Sequence, residues 1–441
     1  LIVCGGAAFI LYRTSLQARA AQDIHWFITL ALCQGGIYLA AAWIILRSRS
    51  SKSTLIIVVA FAAVFRLSIL FAPPYLSDDI YRYVWDGRVQ AAGINPYRYI
   101  PADPSLEKLR DEAIYPKINR KDFAPTIYPP VAQVIFFLVT RVSQSVTWMK
   151  AALVGFEALT AWVLIVLLAS FKLPRERVLI YAWNPILVWE IAGSGHVDAA
   201  AIAFIAIALL ARRRRMETVT GVALACAVLI KLYPIVLFPA LYRRWSWKMP
   251  LALAGSIVIG YLPYLNVGLM GVLGYLPGYT KEEGIESGSR FYLVSVARRV
   301  FGENNVPSKV YLIASGVVLL SLALWCLWKP ERDETSYIKR AFVLAATFTF
   351  LLSPHFTWYF AWLVPFLCWM PLIPFFYLTT VSFVYYRLWF NEWQQLFTVN
   401  TIVLVPFAVL SALTLLDRYV RRRRNAQASG LVGVNDHKTE I

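Results

Sequence analysis

Acidic side chains are scarce in this chain: 25 aspartates and glutamates stand against 43 lysines and arginines, with only four histidines. Any carboxylate or imidazole set among apolar residues is therefore a lead to chemistry. Cysteine is scarce as well. Cys4, Cys33, Cys226, Cys326 and Cys368 all lie in apolar runs without CxxC spacing, which excludes a disulfide frame and a zinc site and leaves them as small core residues. Nothing resembles GxGxxG or a P-loop on a strand-turn-helix unit, so no nucleotide cofactor is expected. No internal repeat points to an inverted-repeat transporter. A signal peptide is not recognisable, because Leu1 opens directly into an apolar run, and the start reads as one from which the true N-terminus can be missing.

What is abundant is apolar length. The chain is 59% hydrophobic, its mean hydropathy is +0.58, and its apolar runs of about 20 residues match the thickness a membrane helix must cross. These features predict an all-α polytopic membrane protein. The net charge of +18 would suggest nucleic acid in a soluble protein, but here it gathers in short loops: Arg47 to Lys52, Lys172 to Arg177, Arg212 to Arg215, Arg243 to Lys248 and Arg421 to Arg424. Placing all of them on the cytoplasmic side gives one topology, with spans near 1–12, 24–46, 54–72, 148–170, 178–193, 196–211, 250–267, 309–328, 341–354, 356–372, 373–389 and 399–419, and both chain ends inside. Segments 73–147 and 268–308 then fall outside. Residues 131–142, opened by Tyr128-Pro129-Pro130, read as an interfacial helix. The stretch 217–242 is too short for two crossings at 1.5 Å per residue, so it reads as a hairpin of half-length helices broken at Lys231-Leu232-Tyr233-Pro234.

Ionisable residues converge on the expected outer face. Asp78 and Asp79 leave an apolar span and open a helix that Ser77 caps and Gly93 and Asn95-Pro96 close, with Asp79, Arg82, Asp86 and Gln90 along one polar stripe. The pair can serve proton chemistry, or it can merely favour the helix N-terminal dipole. The turn Gly193-Ser194-Gly195-His196-Val197-Asp198, one helical turn after Glu190, can contact a substrate or hydrogen-bond internally. His196 and Asp198 alone make a weak metal signal, and no metal site is expected. Ser353-Pro354-His355-Phe356-Thr357-Trp358-Tyr359 is either an aromatic interface belt or a binding turn in which His355 is the exceptional group. Arg66, two turns inside its span, either snorkels or serves function. Lys231 either pairs with Glu157 or another acid or grips a phosphate arriving sideways from the bilayer.

The run from Asp79 to Tyr97, with Gly87-Arg88 and Gly93-Ile94-Asn95-Pro96-Tyr97, resembles the first outer loop of the GT-C superfamily of membrane glycosyltransferases. The resemblance is closest to glycosyltransferase family 87, the polyprenol-phosphate-mannose-dependent mannosyltransferases. Tyr128-Pro129-Pro130, Asn184-Pro185 with Gly195-His196-Val197-Asp198, Lys231-Leu232-Tyr233-Pro234 and Pro354-His355 with Trp358-Tyr359 follow in the family's order, over residues 54 to about 372. The resemblance implies a GT-C fold of about 12 transmembrane helices and an inverting transfer of a hexose, usually mannose, from a polyprenyl-phosphate donor to a glycan or glycolipid hydroxyl at the extracytoplasmic face of the plasma membrane.

Within that reading Asp79 is the expected base, with Asp78 its rival. His355, Lys231, His196, Asp198, Arg66, Arg82, Glu190 and Tyr359 are the expected donor-phosphate and substrate-binding set, with no cofactor and no required metal. The expected units are an N-terminal transmembrane hairpin (1–52), a catalytic module (53–270) holding outer loop 73–147, a C-terminal transmembrane module (271–424) with outer loop 268–308, and a cytoplasmic tail (425–441). Two spans precede the loop-bearing helix where one would suffice. The rival reading is a lipid-linked saccharide transporter or flippase. It needs access from both faces, whereas these ionisable residues crowd one.

Overall fold

The computed structural model describes residues 1–48, 51–302, 306–389 and 393–435, and every regular element among them is helical. Among the described residues, six helices are long and apolar enough to cross a bilayer, namely Ile24–Arg47, Lys52–Leu70, Val146–Ser170, Lys248–Val267, Ser308–Trp328 and Leu396–Arg421. The protein is therefore a polytopic membrane protein. Apolar side chains exposed on this isolated chain follow the lipid-facing stripe of a helix: Val310, Ile313, Val317 and Leu320 recur at helical spacing on Ser308–Trp328, all of them exposed.

We label the first six helices α1 (Ile2–Ala20), α2 (Ile24–Arg47), α3 (Lys52–Leu70), α4 (Asp79–Ala91), α5 (Pro130–Val142) and α6 (Val146–Ser170). At the span expected over 1–12 stands a helix that runs on to Ala20. Inside the α3–α6 layer Arg66 meets Glu157 in a buried bidentate pair, and its other nitrogen donates to the Ala182 carbonyl. Each charge is thus neutralised and its donors filled, which is what lets a buried ion pair persist away from water.

Several spans expected as continuous helices are broken. Residues 178–193 become Leu179–Ala182, then Pro185–Leu187 after an Asn184 cap, then a π-helical turn Val188–Gly193. Residues 356–372 start as a 3-10 helix, Thr357–Leu363, and 373–389 splits after Ile373–Val381. Such backbone survives at membrane depth only when protein surrounds it, and Leu179, Ile180, Ile186, Leu187, Val188 and Leu363 are all fully buried. The polar tail expected over 425–441 lies outside the described residues from 436 on, and up to Asn435 the Leu396–Asn435 helix continues.

The broken hairpin does form. Glu217–Val228 ends at Leu229, whose carbonyl accepts from the Val131 and Ala132 amides at the start of α5, so the open hydrogen-bonding groups of two helix ends satisfy each other. The chain returns through Tyr233–Leu237 and Phe238–Leu241 to Arg243, which pairs with Glu217 at 3.4 Å. Basic loops collect at that end: Arg213 pairs with Glu334 at 2.7 Å and donates to the Ser170 carbonyl, and Glu176 accepts from the Ser51 amide. The Asp79, His196, Lys231 and Tyr359 loops collect at the opposite end.

There α4 and α5 pack as a buried pair. Tyr83 stacks on Phe136 at 4.5 Å, and Gly87 sits where any Cβ would stand 2.4 Å from the Phe136 carbonyl oxygen. Within the polar stripe of α4, Arg82 and Asp86 are buried. Arg82 bonds Asp86 at 2.8 Å and the Ala124 carbonyl at 3.2 Å, while Asp86 also accepts from Gln133 at 3.0 Å and from Thr126.

Candidate active site

A cavity of about 560 Å³ opens beside the N-terminus of α4. Its lining divides by chemistry. Asp78, Asp79, Asn119, Arg120 and Glu282 form a charged part. Lys231, Tyr233, Tyr279 and Tyr359 form a polar aromatic part. Leu232, Ile235, Leu276, Phe348 and Phe356 are apolar. Such a mix suits a ligand with a sugar, an anion and a hydrocarbon chain.

Helix geometry brings the carboxylates there. Ser77 Oγ accepts from the Asp79 amide at 3.3 Å, and Asp78 occupies the cap position, so both side chains leave the first turn toward the cavity. The Asn119 side-chain amide donates to Asp79 Oδ1 at 2.7 Å and to Asp78 Oδ1 at 3.0 Å. The two acids differ in what else surrounds them. Burial, and then the charge of Asp79, hold the Asp78 carboxyl above the usual carboxylate range. Asp79 Oδ2 instead faces His196 Nδ1 at 3.8 Å.

Lys231 stands at the hairpin break. Its Nζ pairs with Asp198 Oδ2 at 2.7 Å, Tyr233 donates to the other oxygen of Asp198 at 3.2 Å, and the ammonium lies 5.5 Å from the Tyr359 ring centre. The sequence reading offered Glu157 or another acid as its partner. The partner is Asp198, because Glu157 is already taken by Arg66. The Tyr359 ring is shared with a second cation: the Arg290 guanidinium lies 5.8 Å from its centre. Tyr359 and Tyr279 share a hydrogen bond of 2.7 Å.

The expected residues separate accordingly. Asp78, Asp79, Arg82, Lys231 and Tyr359 line the cavity. His196, Asp198, Glu190 and His355 stand behind its wall, each touching a residue that lines it or a neighbour in the same network. His355 Nε2 lies 3.4 Å from Glu283, which also pairs with Arg290. Burial, with Arg290 beside it, pushes His355 down to about 3, so its imidazole is neutral. Arg82 is committed to Asp86 and Ala124. Arg66 lies apart from the cavity with Glu157, in a place where it can hold helices but not a phosphate.

Five contributors went unread in the sequence: Asn119, Arg120, Glu282, Glu283 and Arg290. They sit on segments without a periodic pattern, and their roles come from contacts distant in sequence, such as Arg120 with Glu282 at 2.6 Å. A balance of acids and bases in 73–147 and 268–308 was the available signal, and it marks the segments without marking the residues.

Among the described residues no three His, Cys, Asp or Glu side chains stand as a group that could hold a metal ion. Residues 6–247 match a protein-family model described as "Alpha-(1->6)-mannopyranosyltransferase, N-terminal domain". No curated protein and no solved structure matches the chain.

Proposed function

We propose, for a chain that belongs to the alpha-(1->6)-mannopyranosyltransferase family and is a membrane mannosyltransferase, an inverting transfer of mannose from a polyprenyl phosphate to a mannoside hydroxyl. The family match sets the transporter reading aside. The observation that carries the donor assignment is that Asp79 and Lys231 line one cavity whose remaining wall is partly apolar.

In this reading the acceptor hydroxyl lies against Asp79, which takes its proton as the oxygen attacks the anomeric carbon. The bond to the donor phosphate breaks on the opposite side, and its electron pair leaves with the phosphate. That group departs as an anion, so it needs charge stabilisation rather than an acid. Lys231 supplies it: Asp198 occupies one of three ammonium donors, and the Tyr279 and Tyr359 hydroxyls stand alongside. A single displacement inverts the carbon, so an α product requires a β-linked donor. Leu232 and Ile235 line the cavity and are also exposed at 41% and 45%, which gives the hydrocarbon chain a way out to lipid. The basic loops at the far end of the molecule support an extracytoplasmic site in the plasma membrane.

Reconstituted protein given labelled polyprenyl-phospho-mannose and a mannoside acceptor is expected to form an α-(1->6) linkage, read by NMR of the product. Formation of a β linkage, or use of a sugar nucleotide alone, overturns this reading.

A further inference from the structure

Behind Asp79 runs a line of groups that donor binding does not use. His196 Nδ1 faces Asp79 Oδ2 at 3.8 Å, and His196 Nε2 faces Glu190 Oε2 at 3.4 Å. The other Glu190 oxygen accepts from the Tyr386 hydroxyl. His196 and Glu190 are each 1% exposed. Neither imidazole nitrogen and not Glu190 Oε2 makes a hydrogen bond among the described residues.

The chain is shaped to hold this line. The π-helical turn Val188–Gly193 carries Glu190 inward, and the His196 amide donates to the Glu190 carbonyl at 2.9 Å. Gly195, at φ +79°, turns the backbone between them, and the imidazole stacks on Trp358 at 4.2 Å. For packing alone the arrangement is poor, since each buried polar atom without a partner loses its hydration uncompensated. An apolar side chain of similar size would serve better. Lys231 is held by Asp198 and leaves the line intact.

We propose that His196 and Glu190 are positioning residues that carry the acceptor's proton onward from Asp79 during transfer, with Glu190 its holder. The proposal rests on Asp79 being the base. The relay starts from the form in which Glu190 is ionised and the imidazole is neutral with its proton on Nε2; burial raises Glu190 to about 8, so this form is the minor one at neutral pH. The acceptor oxygen forms its bond to the anomeric carbon as the carbon–oxygen bond to phosphate breaks with its electron pair. The hydroxyl proton moves to Asp79 and on to His196 Nδ1, while the Nε2 proton moves to Glu190 Oε2. Asp79 ends as a carboxylate, the imidazole ends neutral with its proton on Nδ1, and Glu190 ends as the acid. Water admitted on product release takes the proton back by the same atoms.

The test is steady-state transfer from polyprenyl-phospho-mannose by the reconstituted full chain in mixtures of light and heavy water. Wild type is expected to show a bowed dependence of kcat on deuterium fraction, from more than one proton in flight. Glu190→Gln keeps the size and the Tyr386 contact, and it is expected to lower kcat at least about tenfold, with KM within twofold and a linear dependence. An unchanged kcat in Glu190→Gln, or a loss confined to KM, overturns the relay. So does a linear dependence in wild type, which decides the matter even if the variant does not fold. Absence of any wild-type transfer from this donor defeats the function reading and the relay with it, whereas an active wild type with an indifferent Glu190→Gln defeats the relay alone.

Discussion

Asp78 and Asp79 accept from the same Asn119 amide, yet only Asp79 has an imidazole in line behind it. The same asymmetry has a thermodynamic side. In the fold Asp78 holds its proton more tightly than the free side chain, whose value is 3.8, because burial and then Asp79 disfavour its charge. Folding therefore carries no penalty at Asp78 below pH 3.8, and the full penalty once the pH passes the raised folded value. Asp78→Asn is expected to raise Tm at about pH 7 and to give no gain at about pH 4, read by thermal unfolding in detergent. A destabilised variant at neutral pH would show that the charge of Asp78 is needed by a partner. The residues legible from sequence were those whose polarity clashed with an apolar setting: Asp78, Asp79, Lys231, His196 and His355. Their partners were not legible, since Lys231 could claim Glu157 or another acid until the folded chain put Asp198 beside it and Arg66 beside Glu157.

Among elements, the α4 N-terminus and the 193–198 turn must meet closely for the site to exist. A Cβ on Gly195 would stand 2.2 Å from Ile80 Cδ1, and the φ of +79° is strained for any side chain. Gly195→Ala is expected to cost about 1–3 kcal/mol and to lower kcat as α4 moves from His196, measured by thermal shift and by transfer rate together. Wild-type values for both would show that the turn does not position Asp79. The half-length hairpin was readable because Lys231 and Pro234 interrupt an apolar run between two basic loops. The fracture of 178–193 was not, because a π-helical turn held by burial has the same apolar composition as an ordinary span.

Across the whole molecule the charge pattern and the cavity point the same way, with basic loops at one end and the mixed cavity at the other. The helical membrane class was legible because apolar length is a local quantity. The aromatic and ionic wall from 275 to 290 was not, since it is assembled by tertiary contact alone. Leu232→Arg places a cation where the hydrocarbon chain is proposed to leave. It is expected to raise KM about tenfold for a long-chain donor, the loss of a few buried methylenes, and to change KM little for a short-chain analogue. Equal effects on both donors would move the lipid path elsewhere.

The central claim is that Asp79 accepts the acceptor proton in a cavity it shares with Lys231. Single-turnover transfer from labelled polyprenyl-phospho-mannose, comparing wild type with Asp79→Asn and with Asp78→Asn, tests it most directly. The account predicts that Asp79→Asn slows transfer by about 10²- to 10⁴-fold while still binding donor, and that Asp78→Asn stays within about tenfold of wild type. Transfer at the wild-type rate by Asp79→Asn would contradict it.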